Sequence, residues 1–374
     1  ATTILGPFVG GLLVDSISWR MAFFINVPLL VVALWATRAV RESRDAESTG
    51  HFDWVGSALV ALAVGGLSFG AIYGQQREWR DPLAFVALAV GAVATAGVPI
   101  WMTRAAHPLV PPELFRSRNF NVTNVSTFLI YGALYLSFYY LTLFLQGVVG
   151  YTAAAAGIAG LPSTLLLVLF SSRSGALAAR SGPRLFMSIG PAVMAVGVLL
   201  FAFIPSSSRP WLLGPGDPAS FVPPVDYLTQ ILPGLLVFGI GLTLMVAPLV
   251  TALMASVPVR HSGVASALNN AISRVGPQLL GAILFVAVTA SFYAGMERRL
   301  PGLDTSSPEV RQMVSPMNPP KLHGGVRPPV EPAEIERASR EASTDALHLA
   351  MLVAAAMLAA GAVVNAIGIR NATS

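Results

Sequence analysis

The sequence predicts an all-α polytopic membrane protein, and three observations carry that prediction. Hydrophobic residues make up 54% of the chain and charged residues 11%, against about 25% charged in ordinary soluble domains. The mean hydropathy of +0.67 belongs to the membrane class. Finally, the apolar residues fall into ten runs, and the basic residues collect in alternate gaps between them. Most of these runs approach or exceed the roughly 20 residues that a helix needs to cross a bilayer.

The runs cover residues 1–14, 20–37, 54–73, 83–102, 121–145, 153–172, 185–204, 228–255, 263–291 and 346–369. Helices follow rather than strands, because hydrocarbon offers no partner to an open sheet edge. Many runs also exceed the roughly 10 residues of a barrel strand and lack its alternation.

The first run contains "ILGPFVGGLLVD", residues 4–15. As a helix, residues 1–14 would rise about 21 Å, short of a bilayer core of about 30 Å. Pro7 removes a helix hydrogen bond and bends the segment, while Gly6, Gly10 and Gly11 leave room for a second helix to come close. After the second run, residues 38–53 form a charged linker whose last residue, Asp53, suits the N-cap of the next helix. The third and fourth runs carry few polar groups. Residues 103–120 form a second linker, in which Pro108, Pro111 and Pro112 resist continued helix. Six runs follow within residues 121–369, with long gaps at 205–227 and 292–345 rich in Pro, Gly and Ser. Within the second gap, residues 333–343 are predicted as a short surface helix with Glu336 and Arg340 as an i,i+4 pair.

Charge sets the orientation. One set of gaps holds Arg38, Arg41, Arg44, Arg104, Arg116, Arg118, Arg173, Arg180, Arg184, Arg260 and Arg370; the short gaps of the other set hold only Arg20, Arg77, Arg80 and Arg209. Basic gaps stay inside, so the first run points outward and the C-terminus is cytoplasmic. The expected location is the plasma (inner) membrane, and the lipid bilayer is the first partner.

Several functions are set aside on composition. The chain has no cysteine, which removes disulfide scaffolds, thiolate metal sites and iron–sulfur ligation. The net charge of +5 lies between apolar runs rather than on a basic face, so no nucleic acid partner is expected. His51, His107, His261, His323 and His348 are scattered, so no metal site is predicted. No Walker motif and no cluster of His, carboxylate and nucleophile is present, so no catalytic residues are assigned and no enzyme is predicted.

Two features could carry chemistry. Arg274 lies inside the ninth run, where a charge costs roughly 2.5–3.5 kcal/mol on insertion scales. Asn270 and Gln278, one turn to either side, share its face. It either serves an anionic group in a wet cavity or is a structural arginine reaching the cytoplasmic side. The second feature is a face of the fifth run, where Asn124, Phe128, Tyr131, Tyr135, Phe138 and Thr142 recur at steps of 4, 3, 4, 3 and 4. Such a face binds an amphipathic or cationic ligand, or else packs against neighbours. Tyr139, Gln146 and Met245 are further candidate contacts.

Several stretches carry a family resemblance. "GPFVGG" (6–11) resembles the antiporter signature of the fifth helix in drug:proton antiporters of the major facilitator superfamily, with Thr2 where an earlier glycine is usual. "DSISWRMAFFINVPL", "FDWVGSAL", "PPELFRSRNF", "LFLQGVVGYTAAAAGIAGLP" and "GVASALNNAISRVG" are similar, in order, to the fourteen-helix branch. "GALAARSGPR" resembles its cytoplasmic loop motif: Gly175, Leu177, Arg180, Gly182 and Arg184 match, and Ala179 stands where the pattern has Asp.

The resemblance implies ten helices of an expected fourteen, with the chain beginning inside the fifth. Residues 1–37 would be the last two helices of the N-terminal bundle, 54–102 two inserted helices, and 121–369 the C-terminal six-helix bundle. It implies a monomeric secondary transporter that exports a small-molecule substrate, with no cofactor and a proton gradient as energy source. The coupling carboxylates would lie mainly in the four preceding helices. The alternatives are a specific metabolite substrate or a partner-binding role without transport. The topology is testable by cysteine labelling in intact cells. Thiols at positions 77 and 209 are expected to react with an impermeant reagent, and thiols at 44 and 118 to stay protected; the reverse pattern would overturn the orientation.

Overall fold

The computed structural model describes residues 9–14, 17–39, 52–214, 216–321 and 330–371. Through them run nine helices long and apolar enough to cross a membrane: α1 (Met21–Ala39), α2 (Trp54–Gln76), α3 (Pro82–Arg104), α4 (Arg118–Val149), α5 (Ala153–Ser181), α6 (Pro183–Phe201), α7 (Tyr227–Ala255), α8 (Val259–Arg299) and α9 (Pro332–Gly368). Each matches one predicted run. Of the remaining run, the first, only residues 9–14 are described, and they are helical.

The outer ends depart from expectation. Helix α8 continues to Arg299 and α9 starts at Pro332, so the predicted 292–345 gap is shorter than expected. Residues 333–343 are the first turns of α9 rather than a separate surface helix. The i,i+4 pair there is Arg337–Glu341 at 3.1 Å, while Glu336 and Arg340 line a small outer cavity. Both corrections have one cause. Beyond the bilayer a helix can carry charge if the charges are paired, and Arg299 of α8 holds Glu341 and Asp345 of α9, each at 2.9 Å.

In the C-terminal bundle, α9 packs against α4, α6 and α8, and α7 packs against α5 and α6. Phe120, Phe144, Phe201, Phe238 and Phe292 are fully buried among these helices. Small residues set the closest crossing: a Cβ on Gly241 of α7 would stand 2.5 Å from the Gly190 carbonyl oxygen of α6. Van der Waals contact of that kind holds helices together where no hydrophobic effect operates between them.

Helices α2 and α3 form a hairpin, and α2 leans on α8. Asp53 ties the end of the hairpin at which α2 starts. As predicted, it caps α2, accepting from the Gly56 amide at 2.8 Å. It also accepts from the Trp101 indole of α3 and from the Leu109 amide, both at 2.9 Å. Burial pushes the Asp53 carboxyl up, but the Gly56 and Leu109 amides and the Trp101 indole outweigh it and hold the pKa below the ordinary value. Its contribution is therefore complete above the ordinary carboxylate pKa and is lost as pH falls through the lowered one. At the outer end Asp81 caps α3 through the Leu83 amide and accepts from the Tyr73 hydroxyl at 2.7 Å. Asp53→Ala is expected to loosen the hairpin by about 1–2 kcal/mol, read as faster proteolysis between α3 and α4 at neutral pH. Unchanged cleavage would show that the three bonds are dispensable.

Candidate functional site

Helices α2, α4 and α8 line an open cleft of about 360 Å³, whose wall includes Gln75, Gln278 and the exposed side chains of Tyr135, Tyr139 and Arg274. Ligand pockets commonly span about 300–1,000 Å³. At 1.5 Å per residue, Arg274 lies roughly 22 Å along α8 and Tyr135 roughly 25 Å along α4, deep in the membrane part of both. Chain order puts Tyr135 and Tyr139 on one face of α4 and Arg274 and Gln278 on one face of α8, each pair one turn apart.

Arg274 donates from Nη1 to the Tyr135 hydroxyl at 3.1 Å. Its guanidinium carbon stands 5.9 Å from the centre of that ring. Among the described residues it makes no ion pair. Gln278, at i+4, keeps a buried amide oxygen with no hydrogen-bond donor. Gln75 and Ile72 enter from the inserted hairpin.

The structure sorts the predicted contacts. Tyr135, Tyr139 and Arg274 line the cavity. The remaining residues do something else. Asn124 is buried and accepts from the Asn269 amide at 3.0 Å, and Asn269 also donates to Thr127 at 2.9 Å, which locks α4 to α8. Phe128 fills the space over Gly276 of α8. Tyr131 is half-buried with its ring 6.4 Å from Tyr135. Phe138 meets Phe238 of α7 edge-on at 5.2 Å. Gln146 is exposed in the π-helical turn that ends α4. Met245 is fully buried against Gly190 and lines no cavity. Asn270 is exposed, and its carbonyl accepts from the Ser273 hydroxyl. The aromatic face thus serves mainly packing, and of its residues only Tyr135 lines the cavity.

The described residues of the two motifs do not line the cavity. Gly6 and Pro7 fall outside the described residues. Gly10 has open space beside it, and Gly11 is pressed against Ala153 and Ala154 at the start of α5. In the loop motif, Gly175 touches Ala247 of α7 and Gly182 turns the chain at a φ of +89°, a conformation that glycine adopts without strain. Arg180 is exposed. Arg184 donates to the Ala366 carbonyl at 2.7 Å. Arg118, at the start of α4, donates to the Ile367 and Gly368 carbonyls at 3.0 and 2.9 Å. Two guanidinium groups thereby satisfy the last carbonyls of α9, which no residue of its own helix can reach.

Residues 1–282 match the family model described as Major Facilitator Superfamily. The chain belongs to the major facilitator superfamily. Among relatives, the multidrug resistance protein Stp of Mycobacterium tuberculosis is 29% identical over 364 residues, covering 96% of this chain and 64% of Stp. The methylenomycin A resistance protein of Bacillus subtilis is 28% identical, covering 79% of this chain and 60% of its own length. The tetracenomycin C resistance and export protein of Streptomyces glaucescens is 29% identical, covering 78% and 51%. The chain spans less than two thirds of the length of these relatives.

Sequence reasoning missed Asn269, Gln75 and the arginine clamp on α9. Asn269 and Asn270 are adjacent, and choosing between them needs the helix phase that packing alone reveals. Asn269→Leu is expected to strand the buried Asn124 oxygen and to cost about 1–3 kcal/mol, read as a lower thermal midpoint in detergent. A midpoint within a degree of the wild type would remove this lock from the account.

Proposed function

We propose that this major facilitator protein is a proton-driven exporter of small amphipathic molecules that works by alternating access, with the α2–α4–α8 cavity as part of its binding site. The carrying observation is that cavity: a drug-sized open cleft between membrane helices, with tyrosine rings and one guanidinium on its wall. Sites of this kind sit near the bilayer midplane, and helices rock about them. The relatives' names, a multidrug resistance protein and a resistance and export protein, support the same reading.

Gly11 against Ala153 and Ala154 provides a close contact between the first helices and the second bundle, where rocking bundles must part or slide. The arginine-rich gaps support a cytoplasmic C-terminus in the plasma membrane. The carboxylates that α8 and α9 do carry, Glu297, Glu334, Glu336, Glu341 and Asp345, gather at their outer ends. The protein acts by transport rather than catalysis, as a monomer in lipid, with no cofactor or nucleic acid partner.

Inverted membrane vesicles from cells expressing the gene provide the test. An imposed pH gradient is expected to drive uptake of at least one of three fluorescent dyes, one anionic, one neutral and one cationic. Addition of a protonophore should abolish that uptake. Uptake of none of the three, or uptake indifferent to the gradient, would overturn the reading.

A further inference from the structure

We propose that the α2–α4–α8 cavity selects anionic aromatic compounds, with the Arg274 guanidinium as charge partner and Tyr135 and Tyr139 as the stacking surface. This deepens the transporter reading and rests on the same cavity.

The charge pattern comes first. Of the residues lining the cavity, Arg274 alone is ionised at neutral pH; the others are Ile72, Gln75, leucine, serine, proline, glycine, Gln278 and tyrosines. A guanidinium carries five N–H donors, and its side-chain partner here is a single phenol. A charge held in the membrane without a counter-ion is costly. An oxyanion that accepts from the remaining donors removes that cost, and the planar fork of arginine suits two oxygens on one atom.

The second observation excludes the opposite class. An aromatic wall alone would suit a lipophilic cation. Here the guanidinium carbon already stands 5.9 Å from the Tyr135 ring centre. A cationic ligand stacked on that ring would meet a like charge at short range, with no carboxylate among the lining residues to offset it.

The third observation concerns a neutral group. The Gln278 amide oxygen is buried without a donor, one turn from Arg274. Buried acceptors are normally satisfied, and a ligand hydroxyl or N–H placed beside its anionic group would satisfy this one. The ligand class is therefore a flat oxyacid with a nearby donor, sized to about 360 Å³. The oxyanion could belong to a soluble aromatic acid or to a phospholipid headgroup.

The purified full chain in nanodiscs of zwitterionic lipid, with empty nanodiscs as reference, tests this by equilibrium dialysis. The probes are 2-naphthoate, 2-naphthylmethanol and 2-naphthylmethylammonium, which share a ring system and differ in charge. Naphthoate is expected to bind about tenfold or more tightly than the ammonium probe. Arg274→Gln should erase the difference, and Arg274→Lys should restore part of it. Repeating the measurement in phosphatidylglycerol nanodiscs separates the sources. Weakened naphthoate binding would assign the guanidinium to an anionic headgroup and overturn the aromatic selectivity, and unchanged binding assigns the site to a soluble aromatic acid.

Equal binding of the three probes by the wild type would overturn the proposal, a result that needs no variant to fold. An anion preference that survives in Arg274→Gln would overturn it too. Anion-selective binding without gradient-driven uptake of any dye would instead sink the transporter reading and leave this inference standing.

Discussion

Hydrocarbon supplies no hydrogen-bond partner, so every polar group placed among these helices must find one in the protein. The architecture follows from that constraint. Backbone groups are satisfied within the helices, and the exceptions at helix ends receive dedicated side chains. Asp53 and Asp81 serve the starts of α2 and α3, and Arg118 and Arg184 serve the end of α9. Some interior side-chain polar groups face one another, as Asn124, Thr127 and Asn269 do, and others donate to backbone carbonyls, as Ser137, Thr243 and Asn365 do.

This economy is incomplete: buried oxygens of Thr123, Ser126, Tyr151 and Thr289 lack a protein partner, and so does one at the cavity. Its wall holds a guanidinium without a carboxylate and an amide oxygen without a donor. The α2–α3 hairpin completes the wall, since Gln75 and Ile72 reach it from α2. A hairpin tied by Asp53 at one end and Asp81 at the other thus forms part of the cavity surface.

Much of the fold was legible in the sequence because the bilayer imposes a length. A run of about 20 apolar residues has one stable outcome, and nine of the ten runs show it directly. The Asp53 cap was legible because the chemistry is local. What failed was phase and extent. The Glu336–Arg340 pair was chosen by spacing, whereas Arg299 from another helix selects Glu341 and Asp345. Met245 is a weaker candidate in the sequence, among small residues and Pro248 that favour packing, and Gly190 and Gly241 bring α6 so close that it is sealed. At the site, Tyr135, Tyr139 and Arg274 were found because aromatic and charged residues are conspicuous in apolar runs. Gln75 was not, since a glutamine near a helix end resembles any boundary residue.

One consequence of Arg274 concerns voltage. A fixed positive charge near the midplane connects electrically with whichever side its cavity opens to, and each elementary charge crossing the field is worth about 2.3 kcal/mol per 100 mV. In the exporter proposed above, a guanidinium neutralised by its anion would cross the field without charge, and a guanidinium lacking the anion would carry one. Membrane potential would then act on whichever step moves the guanidinium without its anion.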